Sequence, residues 1–579
     1  MSNTIASTPT ISTLGSATRL IEDAWLLEMQ NTQVAFSLGH KVDRLPDISL
    51  EAITENARRW REIGEKALAI GEDSLPHDMA VNLRNIRFNA RHRSRQDDWY
   101  WLVFDPAGVG FYGLFAGTAY CGGFMFNSLA ADLLARFRFD DAGDLDRYAG
   151  LLADTTRLIH QMAARTEGQA QRGIYMPKCQ IDQARVLLER LKQAVMAAAA
   201  VSDERLGNLA TPEFKARLAQ LIQKDIGGAF DQFISLLGDD YRAQAPEAVG
   251  MAQYPGGAEI YAELVKLHTT QDLTPQQVHD AGLNRIQEIR SRMAAIRDEV
   301  GFDGDDLAYL AGIDEDPAWR ADTADGVQAV FRGYIERIKP LYDQYFYEPP
   351  PDDYDAEALP AALEGSMTFG FFDAPGPGKL KGRYLFNAAN LTKKGLCNIA
   401  SLNYHELVPG HHLHLSTQKN NQAVHPIQNF AFPNAFNEGW AEYAGTLAGE
   451  LGCYSKPEER FGRLVMDAFL SCRLVVDTGM NTFGWTLEKA RDYMRENAFM
   501  SEAEVFSESV RYSCDIPAQS LAYKLGDIQM LRLREKMQVA LGEKFDIRDF
   551  HQAVLHPGGM PLPDLEWHID WTIDQLRKS

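Results

Sequence analysis

The sequence predicts a mainly α protein, a large multi-helix body carrying a small antiparallel β element close to a candidate metal site. Three observations lead there. Apolar residues recur every three or four positions, as in Ile53, Ala57, Trp60, Ile63, Ala67 and Ile70, with Arg and Glu between them; that is the stripe a helix buries. Helix-start signals recur too. Thr211-Pro212 and Thr274-Pro275 each place an N-cap before proline at the first helical position, and Gln277 completes a capping box with Thr274. Against these stand two short strand-like runs, 367–372 and 383–387, around a Pro/Gly turn just ahead of a histidine-rich stretch.

Taken in order, residues 1–17 are rich in Ser and Thr and lack both a basic n-region and an apolar h-region. They read as a disordered leader rather than a secretory signal. Residues 18–345 form a helical region expected to wall a cleft. Within it, Ile181, Ala184, Leu188, Leu191 and Val195 make a second stripe. Residues 107–131 carry no charge, long enough for a membrane span. Six glycines in that run favour close backbone packing or a cleft wall over a lipid-facing helix. His268 and His279, flanking the Thr274 helix start, read as satisfied structural histidines. The run Tyr347-Glu348-Pro349-Pro350-Pro351-Asp352-Asp353-Tyr354-Asp355 reads as an extended connector. It opens a catalytic region, 346–579, in which the strand edge either binds an extended peptide or is a structural hairpin.

Composition narrows the classes. With 579 residues and 45% hydrophobic content the chain can bury a large core. A net charge of −22 and a pI of about 5.1 argue against nucleic acid as a partner, since phosphate neutralisation needs clustered Lys and Arg. No membrane partner is expected, and the oligomeric state stays open. The cysteines Cys121, Cys179, Cys397, Cys453, Cys472 and Cys514 are scattered without a CxxC pair. They read as core thiols of a reducing, cytoplasmic protein.

The chemistry concentrates in Tyr404-His405-Glu406-Leu407-Val408-Pro409-Gly410-His411-His412-Leu413-His414. A zinc helix of the H-E-x-x-H kind sets two histidines four apart on one face, with the Glu as general base. Here Pro409 occupies the second histidine's position. If the Pro-Gly pair bulges the helix by two residues, His411 moves into that place; His412, seven residues from His405, is the alternative ligand. Downstream, Asn437-Glu438-Gly439-Trp440-Ala441-Glu442-Tyr443 places Glu438 and Glu442 on one helix face. Glu438 would then be the third ligand and Glu442 the carboxylate that orients a ligand histidine. The set is that of a catalytic His₂Glu site for one Zn²⁺, with a fourth position for water and Glu406 as base.

H-E-L-V-P-G-H-H-L-H followed by N-E-G-W-A-E-Y resembles the bacterial domain of unknown function 885 (DUF885) family, grouped with HExxH-like zinc metallopeptidases of the gluzincin kind. The resemblance runs from roughly residue 20 to the C-terminus. It includes Tyr254-Pro255-Gly256-Gly257 through His268-Thr269-Thr270, Arg473 through Gly479, Arg511-Tyr512 with Pro517, and Asp549-Phe550-His551. Asn437 and His414 depart from the commoner residues, and neither is a proposed ligand. The resemblance implies a mostly helical, metallopeptidase-like hydrolase and no particular substrate. On it rest Arg511, Tyr512, Tyr523 and His551 as candidates to stabilise an oxyanion or bind a substrate carboxylate. Arg473 and Asp477, four apart, read as a helix salt bridge. The expected reaction is cleavage of a peptide amide bond in short peptides. A non-peptide or specialised-metabolite amide, and a non-catalytic metal-binding protein, are the alternatives.

No P-loop, dinucleotide fingerprint, G-x-S-x-G elbow or internal repeat competes with this reading.

Overall fold

Helices make up most of the chain in the computed structural model, which describes residues 11–360, 369–376 and 379–578 except 109 and 111. Helix α1 (Ile11–Glu28) begins ahead of residue 18, so residues 11–17 of the expected leader are helical; residues 1–10 lie outside the described residues. It packs with α2 (Leu50–Ala69) and α3 (His77–Arg93). The predicted α2 stripe is buried: Trp60, Ile63 and Ala67 share a core with Leu20, Ala24, Leu83 and Ile86. Ser49 caps α2 by accepting from the Ala52 N–H.

Helices α4 (Gly143–Ala170) and α5 (Lys178–Ala199) build the largest core, and Ile181, Ala184, Leu188, Leu191 and Val195 point into it. The uncharged glycine-rich stretch threads the same core as a π-helical turn, Ala119–Gly123, and a short helix, Phe124–Ser128. Buried packing is therefore its main role. Among the described residues no helix is long and apolar enough to cross a membrane. This core also takes in Leu474, Ala518, Leu521 and Leu525, so the N-terminal and C-terminal regions share packing.

Helices α6 (Gly257–Thr269), α7 (Pro275–Val300), with the expected capping box at Thr274, and α8 (Ala324–Ile338) follow. His268 and His279 are structural, as expected: each is buried, the first accepting from Asn434 Nδ2 at 2.7 Å and the second 2.8 Å from Thr478 Oγ1.

Strands β1 (Asp353–Ala358), β2 (Gly370–Asp373) and β3 (Lys381–Phe386) form a sheet of order β1-β3-β2. Strand β3 is parallel to β1 and antiparallel to β2, so the small β element is mixed rather than purely antiparallel. The acidic connector runs directly into β1. Its charges are answered by Arg332 on Asp355 and Lys381 on Glu357, each at 2.6 Å. Residues 367 and 368 of the first expected strand lie outside the described residues.

Further helices of the C-terminal region are α9 (Ile399–Glu406), α10 (His411–Asn420), α11 (Asn434–Glu450), α12 (Pro457–Asn481), α13 (Glu502–Val510), α14 (Ala522–Leu541), α15 (Ile547–Leu555) and α16 (Leu562–Lys578). Helices α11 and α14 cross at Gly439 and Gly526. A Cβ on Gly439 would stand 2.5 Å from the Gly526 Cα, so two bare backbones are what permit this approach.

Candidate metal centre

Helix α9 stops at Glu406. The backbone leaves the helix at Leu407 (φ −104, ψ −117), passes a cis Val408-Pro409 bond, and re-enters a helix after Gly410 (φ −80, ψ −131). The expected two-residue bulge is therefore a complete break between two helices. Two contacts hold it. Trp440 of α11 donates its indole N–H to the Pro409 carbonyl at 2.9 Å. Gly410 lies so close to the end of α9 that a Cβ there would collide with the His405 carbonyl oxygen. The break folds His411, first residue of α10, back over His405: their ring centroids are 4.8 Å apart and their planes nearly perpendicular.

Glu438, on α11, meets both histidines. Its Oε2 lies 3.7 Å from His405 Nε2 and 3.3 Å from His411 Nε2. One ligand atom from each of the three residues lies within 4.8 Å of the others, the one such group of His, Cys, Asp or Glu among the described residues. Ligands about 2.0–2.1 Å from a tetrahedral zinc ion stand about 3.3 Å apart, so the donor types suit that ion and the two Glu438 separations lie near the spacing it sets. Glu438 Oε2 is buried with no hydrogen-bond partner, as an atom reserved for a cation would be.

One turn along α11, Glu442 stands behind His405, its Oε1 2.7 Å from Nδ1. Arg463 of α12 reaches the other Glu442 oxygen at 2.8 Å and also donates to Ser401 Oγ at 3.2 Å. The charges follow from this layering. Burial alone would lower the pKa of His405, but the Glu442 hydrogen bond and charge, with Glu406 and Glu438, raise it to about 9. Burial pushes Glu442 up, yet the Arg463 charge and the His405 bond carry it well below the usual carboxylate range. Glu438 also ends lowered: burial raises it, and the nearness and charge of His411, then the charge of His405, outweigh that. Glu406 moves the other way, raised by burial and by the charges of Glu438 and Glu442 against the pull of the two histidines.

The structure brings Tyr523 to this group. Its ring lies 6.1 Å from that of His405 at an interplanar angle of 10°, and burial, then the Glu438 charge, push its hydroxyl up to about 12. Arg511 is a neighbour of Tyr523: its Nη2 donates to Gln519 Oε1 at 2.6 Å, and Gln519 in turn bonds Tyr523. Three other candidates are placed elsewhere. His412 turns Nε2 to the Asp352 carbonyl at 2.8 Å and packs its ring on Tyr354, away from the trio. Tyr512 is fully buried, accepting from Arg473 Nε at 2.7 Å and donating to Glu508. His551 has both ring nitrogens engaged, with Tyr443 Oη at 2.8 Å and the Tyr345 carbonyl at 2.7 Å, so neither is free for a substrate.

Arg473 and Asp477 do not pair with each other. Arg473 bonds Glu508 and Tyr512, and Asp477 accepts from Tyr261, Asn481 and Ser520. Sequence reasoning passed over Arg463 and Trp440. Arg463 carries no local signal, because its partner lies on another helix; Trp440 was visible inside N-E-G-W-A-E-Y but its role depends on the loop it clamps.

A mainly α body with a His₂Glu cluster at a broken helix is thus what fold and site define. The chain belongs to the bacterial protein family of unknown function DUF885, whose profile matches residues 33–569. No curated protein matches the sequence. Among solved structures, a candidate lipoprotein from Colwellia psychrerythraea superposes with a TM-score of 0.84 at 22% identity, over 97% of this chain and 99% of that one. A candidate lipoprotein of unknown function from Shewanella oneidensis gives 0.72 at 19% identity, over 95% and 98%. At such identities the likeness is one of fold.

Proposed function

We propose that this chain is a zinc-dependent hydrolase that cleaves an amide bond in short peptides, with His405, His411 and Glu438 as ligands and Glu406 as general base. The observation carrying the reading is the convergence of three ligand atoms on one point, with Glu438 Oε2 left unpartnered and a further carboxylate, Glu406, adjacent in sequence to the first ligand. A zinc ion held there supplies Lewis acidity toward a carbonyl oxygen and an acidified water.

The rest is done by side chains. Glu442, 2.7 Å from His405 Nδ1, is placed to favour a proton on that nitrogen, which leaves Nε2 as the lone-pair donor. Arg463 keeps Glu442 ionised for that task. Glu406 makes no hydrogen bond among the described residues, so its carboxylate is available to take a proton from the attacking water and return it to the leaving amine. Tyr523, stacked on His405, places a protonated hydroxyl beside the same centre, where it donates to a developing oxyanion. Six free thiols among the described residues accord with a cytoplasmic setting, which we also propose.

The test is hydrolysis by the zinc-loaded protein of a short-peptide library and a panel of small amides, with Glu406→Gln alongside. Cleavage of peptides, lost in Glu406→Gln while zinc stays bound, supports the proposal. Cleavage of small amides alone moves the substrate class. Zinc binding with no hydrolysis of either set contradicts the catalytic reading.

A further inference from the structure

Beside the trio lies a cationic feature that the chemistry above leaves unused. The π-helical turn Arg511–Asp515 follows α13, and its first residue, Arg511, has a side chain only 9% exposed. Its Nη2 is bonded to Gln519, and its Nε is buried with no hydrogen-bond partner. Its Nη1 stands 3.6 Å from Glu508 Oε1, an ion-pair separation too long for a hydrogen bond. Glu508 is engaged elsewhere, its Oε2 accepting from Arg473 Nη2 at 3.0 Å and from the Tyr512 hydroxyl. Two guanidinium groups therefore share one carboxylate. The nearby acid Asp515 turns its oxygens to Thr118 Oγ1 at 2.6 Å and to the Tyr120 N–H at 2.8 Å.

A buried guanidinium with an unpaired N–H and half a counter-ion is costly to the fold. A bound anion would remove that cost, and the planar fork suits a carboxylate through two parallel N–H···O bonds. The surroundings suit a substrate. Arg511 lies 4.4 Å over the ring of Tyr120, at the edge of the glycine-rich stretch. Tyr523, which stacks on His405, feels the charges of both Glu438 and Arg511. Tyr120 and Tyr523 are both partly exposed.

We infer that Arg511 receives the free C-terminal carboxylate of a peptide substrate, so that cleavage falls near the C-terminus. Tyr523, stacked on His405 and within the field of Arg511, is the side chain the two sites share. The inference rests on the hydrolase reading and narrows its substrate class.

The experiment uses the full-length zinc-loaded protein and two probes, an N-acylated tripeptide with a free C-terminal carboxylate and the same tripeptide as its C-terminal amide. Wild type should favour the acid by roughly 100-fold in kcat/KM, as when a buried ionic partner is withheld from a site built for it. In Arg511→Met the acid-to-amide ratio should collapse toward one, and Arg511→Lys should restore part of it. A wild-type ratio near one, or an unchanged ratio in Arg511→Met, overturns the inference.

Calorimetric titration with the dipeptide product and its amide reads binding without turnover, and equal zinc content in each variant reports folding. Binding of the acid that weakens in Arg511→Met, without hydrolysis of either tripeptide, leaves the carboxylate site standing and removes the hydrolase. Hydrolysis indifferent to the C-terminus does the reverse. Neither hydrolysis nor acid binding removes both.

Discussion

At His405 one imidazole is divided between two duties. Nδ1 faces Glu442 and Nε2 faces Glu438, and the difference between those carboxylates is set by what stands behind them. Glu442 is backed by Arg463, whereas Glu438 Oε2 faces the two imidazole nitrogens and has no basic side chain of that kind behind it. The same logic singles out Glu406, a partly exposed carboxylate that makes no hydrogen bond among the described residues. Replacing it with Gln keeps the shape and removes the base, so kcat should fall by about 10²–10⁴-fold with zinc content unchanged. Single-turnover hydrolysis with elemental analysis checks this, and near-wild-type turnover would remove Glu406 from the role. Much of this was readable from spacing, because Glu438 and Glu442 four apart must share a helix face. The three residues placed elsewhere show the limit. Tyr512, His551 and His412 each bear the right chemistry, but partners that occupy them, Arg473, Tyr443 and Asp352, lie far away in sequence.

Among the elements, the decisive one is the break between α9 and α10. Proline at the i+4 position told the sequence reader that a regular helix fails there. It did not distinguish a bulge from a break, because the path beyond Pro409 depends on the Trp440 indole and on the tight seat of Gly410, both tertiary contacts. The prediction at this scale is that Gly410→Ala, overpacked against the end of α9, costs roughly 1–3 kcal/mol and swings His411 from His405. Urea unfolding and zinc titration check it; unchanged stability with unchanged zinc affinity would mean the contact relaxes harmlessly. The β element shows the same division between local and tertiary information. Short aromatic-rich runs around a Pro/Gly turn marked two strands, but the parallel partner β1 hid in an acidic, proline-flanked stretch whose charges are met by Arg332 and Lys381.

Over the whole molecule, the site is tied to a buried ionic network rather than to a dry core alone. Lys524, fully buried, bonds Asp467 and Asp527, each at 2.7 Å, and Arg285 reaches Asp467 at 2.6 Å. Arg463, within the same field, carries the link to Glu442. Burial raises the Asp467 pKa, but Lys524, Arg285 and Arg463 together bring it well below the ordinary range. A carboxylate whose folded pKa is depressed adds stability above its unfolded pKa, about 3.9, and that stability is lost as pH falls toward the folded value. Asp467→Asn should therefore cost about 3–5 kcal/mol at pH 7, through the buried cations it strands. It should also flatten the loss of stability below about pH 4, where the unfolded wild-type chain takes up a proton at Asp467 that the folded chain does not. Urea midpoints from pH 3 to 7 read both effects, and a parallel acid limb in the variant would contradict the assignment.

The zinc-hydrolase proposal stands or falls with one zinc ion held by His405, His411 and Glu438. Elemental mass spectrometry of purified wild type, His411→Ala and His412→Ala, each supplied with zinc and desalted, tests it most directly. About one zinc per chain in wild type and in His412→Ala, with none in His411→Ala, is the predicted result. Loss in His412→Ala alone, or no retained zinc in wild type, would contradict the account.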